Sequence, residues 1–166
     1  AGLLLEELQL NRIEVASARV SRGEFDGAKM IFDWARENGY LDRVEVLGFV
    51  DGTESLEWIR KAGGKVINLL TKGSLKHCQY QLRKSPDEHI ADIKGVVKKA
   101  DEMGIRVNIY FEDWSNGMRN SPEYVYHMID SLKETSIDRY MLPDTLGILN
   151  QQETYRFCRD IRTRYP

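Results

Sequence analysis

The sequence predicts an α/β fold built on a parallel sheet, and three observations support this class. Five short runs rich in Val, Ile or Leu alternate with longer segments of helical periodicity. The helical segments begin at residues typical of N-caps, and several end at glycine. The strand–helix rhythm repeats about five times, which is typical of parallel strands joined by right-handed crossovers.

The predicted strands are short, and several alternate polar with apolar residues. They are residues 12–16, 43–49, 65–70, 106–111 and 139–142. This alternation places successive side chains on opposite faces of a sheet.

The predicted helices are recognised by how they begin. Capping patterns start helices at four places, which are Ser21–Glu24, Ser85–Glu88, Ser121–Glu123 and Asn150–Glu153. Pro86 and Pro122 occupy the first helical position that proline favours. Glycines mark several of the ends, namely Gly39, Gly63, Gly64 and Gly104.

Length and composition predict one globular domain, residues 1–166, with no second domain in the chain. Hydrophobic residues make up 42% and charged residues 30%, which excludes a disordered or low-complexity chain. The net charge of −2 supplies no basic field for binding nucleic acid.

The cysteine content and the apolar runs favour a cytoplasmic protein. The only cysteines, Cys78 and Cys158, form no disulfide framework and no CxxC motif. The early apolar run Leu3-Leu4-Leu5 is closed by Glu6-Glu7, so neither a signal peptide nor a membrane span is expected. A reducing compartment is therefore predicted.

Two architectures fit the alternating pattern. One is a doubly wound open sheet, and the other is part of a (β/α)8 barrel, which normally needs about 250 residues. The sequence has neither a GxGxxG fingerprint nor a GxxxxGK[ST] phosphate loop. The residues alone leave both architectures open.

Either architecture places its functional site at the carboxyl ends of the strands. This rule selects a small set of candidates, which are Ser17, Arg19, Phe49, Asp51, Leu70, Thr71, Lys72, Ser74, Tyr110, Glu112, Asp113, Asp144 and Thr145.

The strongest local signal is the stretch from Tyr110 to Trp114. Alternation puts Asn108, Tyr110 and Glu112 on one face of the strand. A carboxylate beside aromatic surface is a candidate general base, although an acidic pair at a strand end can also be a helix cap or an ion-pair partner.

The second signal is the stretch from Leu142 to Gly147. Its Asp, Thr and Gly residues at a strand end can present a hydroxyl and backbone N–H groups to an anion. The same residues also form ordinary turns between a strand and a helix. The sequence leaves both interpretations open.

The three histidines form no recognisable metal site. His89 and His127 fall inside amphipathic helices and are expected at the surface or rim. His77 follows a strand together with Lys72 and Ser74, so this loop is either a solvated basic turn or a wall of an anion pocket. Cys78 lacks the partners that a nucleophile needs.

Four stretches occur together in one order in a known family. They are Glu14–Ser17, Lys72–Ser74 followed by His77, Glu112–Asp113, and Leu142–Gly147. In this respect the chain resembles the metal-dependent Claisen-condensing enzymes with an HMG-CoA-lyase-like barrel, which include the 2-isopropylmalate, homocitrate and citramalate synthases. The amino-acid sequence of these stretches is most similar to that of the citramalate synthase branch.

The resemblance implies a partial (β/α)8 barrel of about five parallel βα units, matching barrel strands two to six. It implies an acyltransferase that condenses acetyl-CoA with a 2-keto acid in branched-chain amino-acid biosynthesis. Glu112 matches the family's catalytic glutamate, and Thr145 matches the threonine that binds the keto acid carboxylate. Three residues match the side-chain pocket, namely Leu47, Leu70 and Tyr110.

Two departures from the family pattern bear on the substrate. The isopropylmalate and homocitrate synthases usually have a small residue where this chain has Tyr110, and histidine where it has Asn68. A tyrosine fills the pocket and leaves room for a methyl group, which favours pyruvate as the acceptor, with Asn68 also assigned to substrate binding.

The family's metal-binding motifs do not occur in this chain. Neither Arg-Asp-Gly-Glu-Gln nor His-x-His-Asn is present, so no residue is assigned as a metal ligand. For the full-length enzyme the resemblance implies a divalent metal (Mg, Mn or Zn), acetyl-CoA as co-substrate and a homodimer acting on small molecules.

Two other classes compete with the condensing enzyme. One is a barrel aldolase or isomerase that uses Lys72 to form a Schiff base. The other is a non-catalytic α/β interaction domain in which Glu112 and Asp113 are structural.

Overall fold

A computed structural model describes all residues, 1–166, and contains one sheet of five parallel strands. The strands are β1 (Ile13–Ser17), β2 (Val44–Phe49), β3 (Val66–Lys72), β4 (Arg106–Glu112) and β5 (Ile137–Met141). All five predicted strands are confirmed, with ends within about two residues of those predicted.

Seven α-helices connect and follow the strands. They are α1 (Arg22–Glu37), α2 (Glu54–Ala62), α3 (Leu75–Tyr80), α4 (Pro86–Glu102), α5 (Trp114–Asn120), α6 (Pro122–Leu132) and α7 (Gln151–Arg164). A π-helical turn, Leu3–Glu7, precedes β1, and a 3-10 turn, Leu41–Arg43, precedes β2. None of the helices is both long and apolar enough to cross a membrane.

Three of the four predicted capping patterns form side-chain caps, whereas Ser121 precedes α6 without a capping hydrogen bond from its side chain. Ser85 with Glu88, and Asn150 with Glu153, form complete capping boxes at α4 and α7. Ser21 accepts the backbone N–H of Glu24 at 3.1 Å, so it caps α1 by its own side chain.

The strand order decides between the two architectures. The strands lie in the order β1-β2-β3-β4-β5, so each strand pairs with the next one along the chain. A doubly wound sheet reverses its order at a switch point, whereas a βα barrel adds every strand on the same side. The chain is therefore a partial barrel, in which β1 and β5 form open edges.

The two faces of the sheet differ in chemistry. Ile67, Leu69, Ile109 and Phe111 point outward and are fully buried in the core shared with the helices. From Asn68 on β3 and Asn108 on β4 to the strand ends, the alternate positions point inward and carry polar or half-buried side chains. Lys72 and Glu112, two of the candidate site residues, are the last inward positions of β3 and β4, at the carboxyl ends of these strands.

Candidate active site at the carboxyl ends of the strands

The centre of the site is an ion pair between neighbouring strands. Lys72 ends β3 and Glu112 ends β4, and the two residues are directly opposite in the strand register. The Lys72 ammonium donates to Oε2 of Glu112. Only 15% of the Lys72 side chain and 26% of the Glu112 side chain are exposed, so the pair is largely sheltered from water.

The backbone of Lys72 is held by side chains from two helices. Its N–H donates to Nε2 of His89 in α4 at 3.2 Å, and its carbonyl oxygen accepts the Tyr124 hydroxyl of α6 at 2.8 Å. Because both backbone groups are bonded from outside the sheet, the end of β3 is fixed.

The expectation that His89 lies at the surface or rim is wrong. The residue is only 2% exposed, and burial lowers the pKa of its imidazole to about 4. A neutral ring is required because Nε2 accepts a hydrogen bond from Lys72. His127 is exposed as expected and contacts Asp87 at 2.8 Å.

Asp113 joins the loops that follow β3 and β4. One carboxylate oxygen accepts the Ser74 hydroxyl at 2.7 Å, and the other accepts the Asn116 amide at 2.7 Å. Nε2 of His77 lies 3.4 Å from the same oxygen that Ser74 contacts. His77 thus faces a carboxylate, which does not favour the anion pocket considered for this loop.

The loop after β5 reaches the same place through Thr145. Its hydroxyl oxygen accepts the backbone N–H of Asp113 at 3.1 Å, so the hydroxyl proton remains available to a ligand. Asp144 instead shapes its own loop, accepting from Ser115 at 2.6 Å and from the N–H of Leu149 at 2.9 Å. These hydrogen bonds lower the pKa of the Asp144 carboxyl.

Two glycines allow these loops to touch. The Gly73 N–H donates to the Glu112 carbonyl at 2.6 Å, and a Cβ on Gly73 would lie 2.5 Å from the Phe111 carbonyl oxygen. A Cβ on Gly117 would lie 2.0 Å from the Gly73 carbonyl oxygen. The Lys72-Gly73-Ser74 motif thus depends on the close approach of two backbones, a role that the sequence analysis missed.

The residues assigned to the side-chain pocket lie together on the inner face. Leu70 is opposite Tyr110 in the register, and Leu47 is opposite Asn68. Leu47, Leu70 and Tyr110 are half-buried. Burial, followed by the nearby carboxylates of Glu14 and Glu45, raises the pKa of the Tyr110 hydroxyl.

Asn68 lies below these residues in a buried polar layer. Its amide donates to Glu14 at 2.6 Å, and its amide oxygen accepts from Asn108 at 2.8 Å. Asn68 is 1% exposed, so it lies buried beneath the half-buried residues of the inner face. Its assignment to substrate binding stays a prediction.

This polar layer also contains an ion pair that the sequence analysis missed. Arg139 of β5 donates to Glu45 of β2 at 2.5 Å and to Asn108 at 3.2 Å. Arg12 approaches the same Glu45 oxygen at 3.4 Å. The sequence signal that could have indicated this ion pair is a charged residue at an inward position of a strand, as at Glu45 and Arg139.

The remaining candidates lie apart from the Lys72–Glu112 pair or serve the fold. Arg19 and Asp51 form an ion pair at 2.8 Å after β1 and β2, and Asp51 accepts the N–H of Ser55. The hydroxyl of Thr71 donates to the Tyr110 carbonyl. No structural feature assigns a role to Ser17, and Phe49 lines a cleft of about 240 Å³ beside Lys72 and His89.

The chain's own residues do not fit a divalent metal site. No group of three or more His, Cys, Asp or Glu side chains is arranged to hold an ion. The carboxylates at the strand ends are already engaged, Glu112 by an ammonium, Asp113 by a hydroxyl and an amide, and Asp144 by a hydroxyl and two N–H groups. These engaged carboxylates leave no set of free oxygen ligands for a divalent ion at the strand ends.

The fold and the strand-end cluster together define part of a βα barrel with its candidate site at the carboxyl end of the sheet. The sequence model of the HMGL-like family matches residues 3–166. The chain belongs to the HMGL-like family.

Individual relatives agree with this membership. The chain is 25% identical over 162 residues to a 2-isopropylmalate synthase of Leptothrix cholodnii, covering 98% of this chain and 31% of that protein. It is 28% identical over 157 residues to an (R)-citramalate synthase of Methanocaldococcus jannaschii, covering 95% and 30%. The chain thus spans about a third of the length of these relatives.

A solved structure shows the same fold. Hydroxymethylglutaryl-CoA lyase from Pseudomonas aeruginosa matches with a TM-score of 0.66 and 18% identity, covering 98% of this chain and 55% of that one. At this identity the similarity concerns the fold alone, and it agrees with the partial barrel derived from the strand order.

Proposed function

We propose that these residues form part of the catalytic barrel of an acyltransferase that condenses acetyl-CoA with a 2-keto acid, with pyruvate as acceptor and citramalate as product. The observation that carries the proposal is the arrangement of Glu112 beside Tyr110 and Leu70 on one inward face, with Thr145 at the adjacent loop. Relatives named 2-isopropylmalate synthase and citramalate synthase support the reaction class.

In the proposed reaction Glu112 removes a proton from the methyl group of acetyl-CoA. The resulting enolate carbon attacks the ketone of the keto acid, which forms the new carbon–carbon bond, and water then cleaves the thioester. Glu112 lies at the end of β4 and retains partial exposure, so a substrate can reach its carboxylate.

Thr145 and Tyr110 would place the keto acid. The Thr145 hydroxyl proton is free to donate to the keto acid carboxylate, since its oxygen already accepts from Asp113. The Tyr110 ring occupies inward space beside Leu70, so a methyl group fits better than a branched or carboxylated side chain. Leu47 would complete the apolar wall, and Asn68 would support it from below.

The proposed reaction needs parts that this chain does not supply. A divalent metal (Mg, Mn or Zn) would polarise the ketone, with its ligands outside these 166 residues. We expect titration of the chain with Mn²⁺ or Zn²⁺ to show no tight stoichiometric binding at the strand ends, and such binding would contradict this proposal.

The proposed domain organisation follows from the same reasoning. Residues 1–166 would form one portion of a longer catalytic barrel, whose remaining strands pair with the open edges of β1 and β5. We further propose a homodimeric cytoplasmic enzyme for the complete protein.

The finer substrate assignment has two alternatives. A 2-isopropylmalate or homocitrate synthase would take 2-ketoisovalerate or 2-ketoglutarate in place of pyruvate. A relative named 2-isopropylmalate synthase matches the chain as well as the citramalate synthase does. The choice of pyruvate as the acceptor therefore depends on the size of the Tyr110 side chain. A non-catalytic interaction domain is the alternative of another class.

The decisive experiment measures release of free CoA by the complete protein with acetyl-CoA, metal and a panel of 2-keto acids. We expect pyruvate to be preferred, and Tyr110→Ser to increase kcat/KM for 2-ketoisovalerate by about 10-fold or more relative to pyruvate. A wild-type preference for 2-ketoisovalerate would refute the pyruvate assignment. Absence of activity with every keto acid would refute the condensing function.

Tyr124→Phe is a suitable control for Tyr110→Ser. This tyrosine is buried in α6, and its hydroxyl contacts the carbonyl of Lys72 from the helix side of the sheet. Its loss should leave the relative preference among keto acids unchanged, because Tyr124 does not line the inner face.

A further inference from the structure

We infer that Lys72 is a further catalytic residue, whose ammonium binds the enolate oxygen that forms when Glu112 removes the methyl proton. The inference rests on the proposed condensation and adds to it a group that stabilises the negative charge. It differs from the Schiff-base alternative, in which Lys72 would act as a nucleophile.

The location of Lys72 distinguishes it from an ordinary surface lysine. The residue ends a strand on the inward face, directly opposite the proposed base in the register. Its side chain is 15% exposed, whereas the surface pair formed by Lys99 and Glu102 on α4 is 52% and 49% exposed. A sheltered ammonium acts on nearby charge with less screening by water than an exposed one.

The surrounding structure holds Lys72 in place before any substrate binds. His89 accepts from its backbone N–H, and the Tyr124 hydroxyl donates to its carbonyl oxygen. The next residue, Gly73, donates to the Glu112 carbonyl at 2.6 Å, so the two strand ends are tied to each other. Groups that are fixed in advance stabilise a developing charge without the cost of reorganising during the reaction.

Charge balance gives the ammonium its role. Before the reaction the Lys72 ammonium is paired with the Glu112 carboxylate. When the carboxylate takes a proton from the methyl carbon, it becomes neutral. The electron pair of the broken C–H bond forms the carbon–carbon double bond of the enolate, and the π pair of the thioester carbonyl moves to its oxygen. The negative charge passes from Glu112 to the enolate oxygen, and Lys72 becomes the adjacent counter-charge.

The same pairing argues against a Schiff base. An amine attacks a carbonyl through the lone pair of its nitrogen, which must be free to reach the carbonyl carbon. The Lys72 nitrogen is instead directed at the Glu112 carboxylate, to which it donates. The geometry therefore favours a lysine that acts as a hydrogen-bond donor.

The test compares Lys72→Met and Lys72→Arg in the complete, metal-loaded protein. We expect Lys72→Met to lower kcat by about 10²–10³-fold, the usual effect of losing one donor to a developing oxyanion. The KM for pyruvate should change little, because Thr145 and the inner wall bind the acceptor. Lys72→Arg keeps the positive charge and should recover part of the loss.

The matched control is Lys99→Met, which removes an ion-paired lysine from the exposed face of α4. It should retain wild-type kcat. Lys72→Gln provides a second neutral variant if the methionine variant fails to fold. A kcat for Lys72→Gln equal to that of Lys99→Met would overturn the inference.

A further readout separates a chemical role from a structural one. Exchange of acetyl-CoA methyl protons with deuterated water should slow in Lys72→Met, because the enolate that this exchange requires loses its counter-charge. Unchanged exchange would make Lys72 structural.

The outcomes distinguish this inference from the proposed function. An inactive wild-type protein refutes the condensation itself. An active wild-type protein with fully active Lys72 variants refutes only the role of Lys72. Borohydride trapping of a keto acid on Lys72 would refute the ammonium role and favour the aldolase class.

Discussion

The two faces of the sheet carry opposite chemistry on the same strands. On β3 and β4 the outward residues Ile67, Leu69, Ile109 and Phe111 are fully buried hydrocarbon. The alternate positions, which point inward, carry two amides, a leucine, a tyrosine and the Lys72–Glu112 ion pair. Strands of parallel sheets usually read as continuous apolar runs, so the polar inner face is a departure that calls for a reason.

The difference shows how the fold separates stability from chemistry. The outer face stabilises the barrel through apolar burial against the helices. The inner face buries polar groups, which costs free energy unless each group finds a partner. Glu45, Asn68 and Asn108 all have hydrogen-bond partners, which offset the free-energy cost of burying them. The inner face can therefore support the residues at the strand ends.

The largest expected effect comes from the outer face. Phe111→Ala removes a fully buried ring that packs edge-on against Tyr140, with ring centres 5.9 Å apart. We expect the free energy of unfolding to fall by about 3–5 kcal/mol, as measured by urea denaturation. Tyr110→Ser, one residue away on the inner face, should cost less than about 2 kcal/mol, since this ring is only half-buried. Equal losses of unfolding free energy in the two variants would contradict the proposed difference between the outer and inner faces.

The next effect concerns His89, which connects the outer helices to the end of β3. Its pKa of about 4 in the folded protein lies below the ordinary value of 6.5. Between these pH values the unfolded chain binds a proton that the folded chain does not, so the free energy of unfolding falls as the pH falls. The total loss approaches about 3 kcal/mol near pH 4.

Two histidine variants test this pH dependence. His89→Gln retains an acceptor for the Lys72 N–H but cannot titrate, so it should flatten the loss of stability between pH 6.5 and 4. His127→Gln removes an exposed histidine and should leave the loss as in the wild type. The same slope in both variants would show that another group titrates.

The smallest effect concerns the floor of the inner face. Arg139→Met removes the closest partner of buried Glu45 and should lower the free energy of unfolding by about 1–3 kcal/mol. Arg22→Met breaks the exposed pair with Asp26 on α1, where the two side chains are 91% and 58% exposed, and should cost no more than about 0.5 kcal/mol. Thermal or urea unfolding of both variants would show whether the inner pair contributes more.

Much of the fold could be predicted because its signals are local. Periodicity identified all five strands, and the capping boxes at Ser85 and Asn150 marked two helix starts. The short helices α3 and α5 were not predicted separately. Each depends on loop contacts such as the hydrogen bond between Ser74 and Asp113, whose residues are 39 positions apart in the chain.

The sequence by itself determined the βα rhythm, the strand-end positions of Glu112 and Thr145, and the family resemblance, because these depend on spacing and residue type. Only the tertiary structure decided that Lys72 meets Glu112, that His89 is buried, and that Arg139 reaches Glu45. Arg139 and Glu45 are 94 positions apart in the chain, and the register of the strands brings them together. Register and packing depend on many distant residues at once, and no local pattern records them.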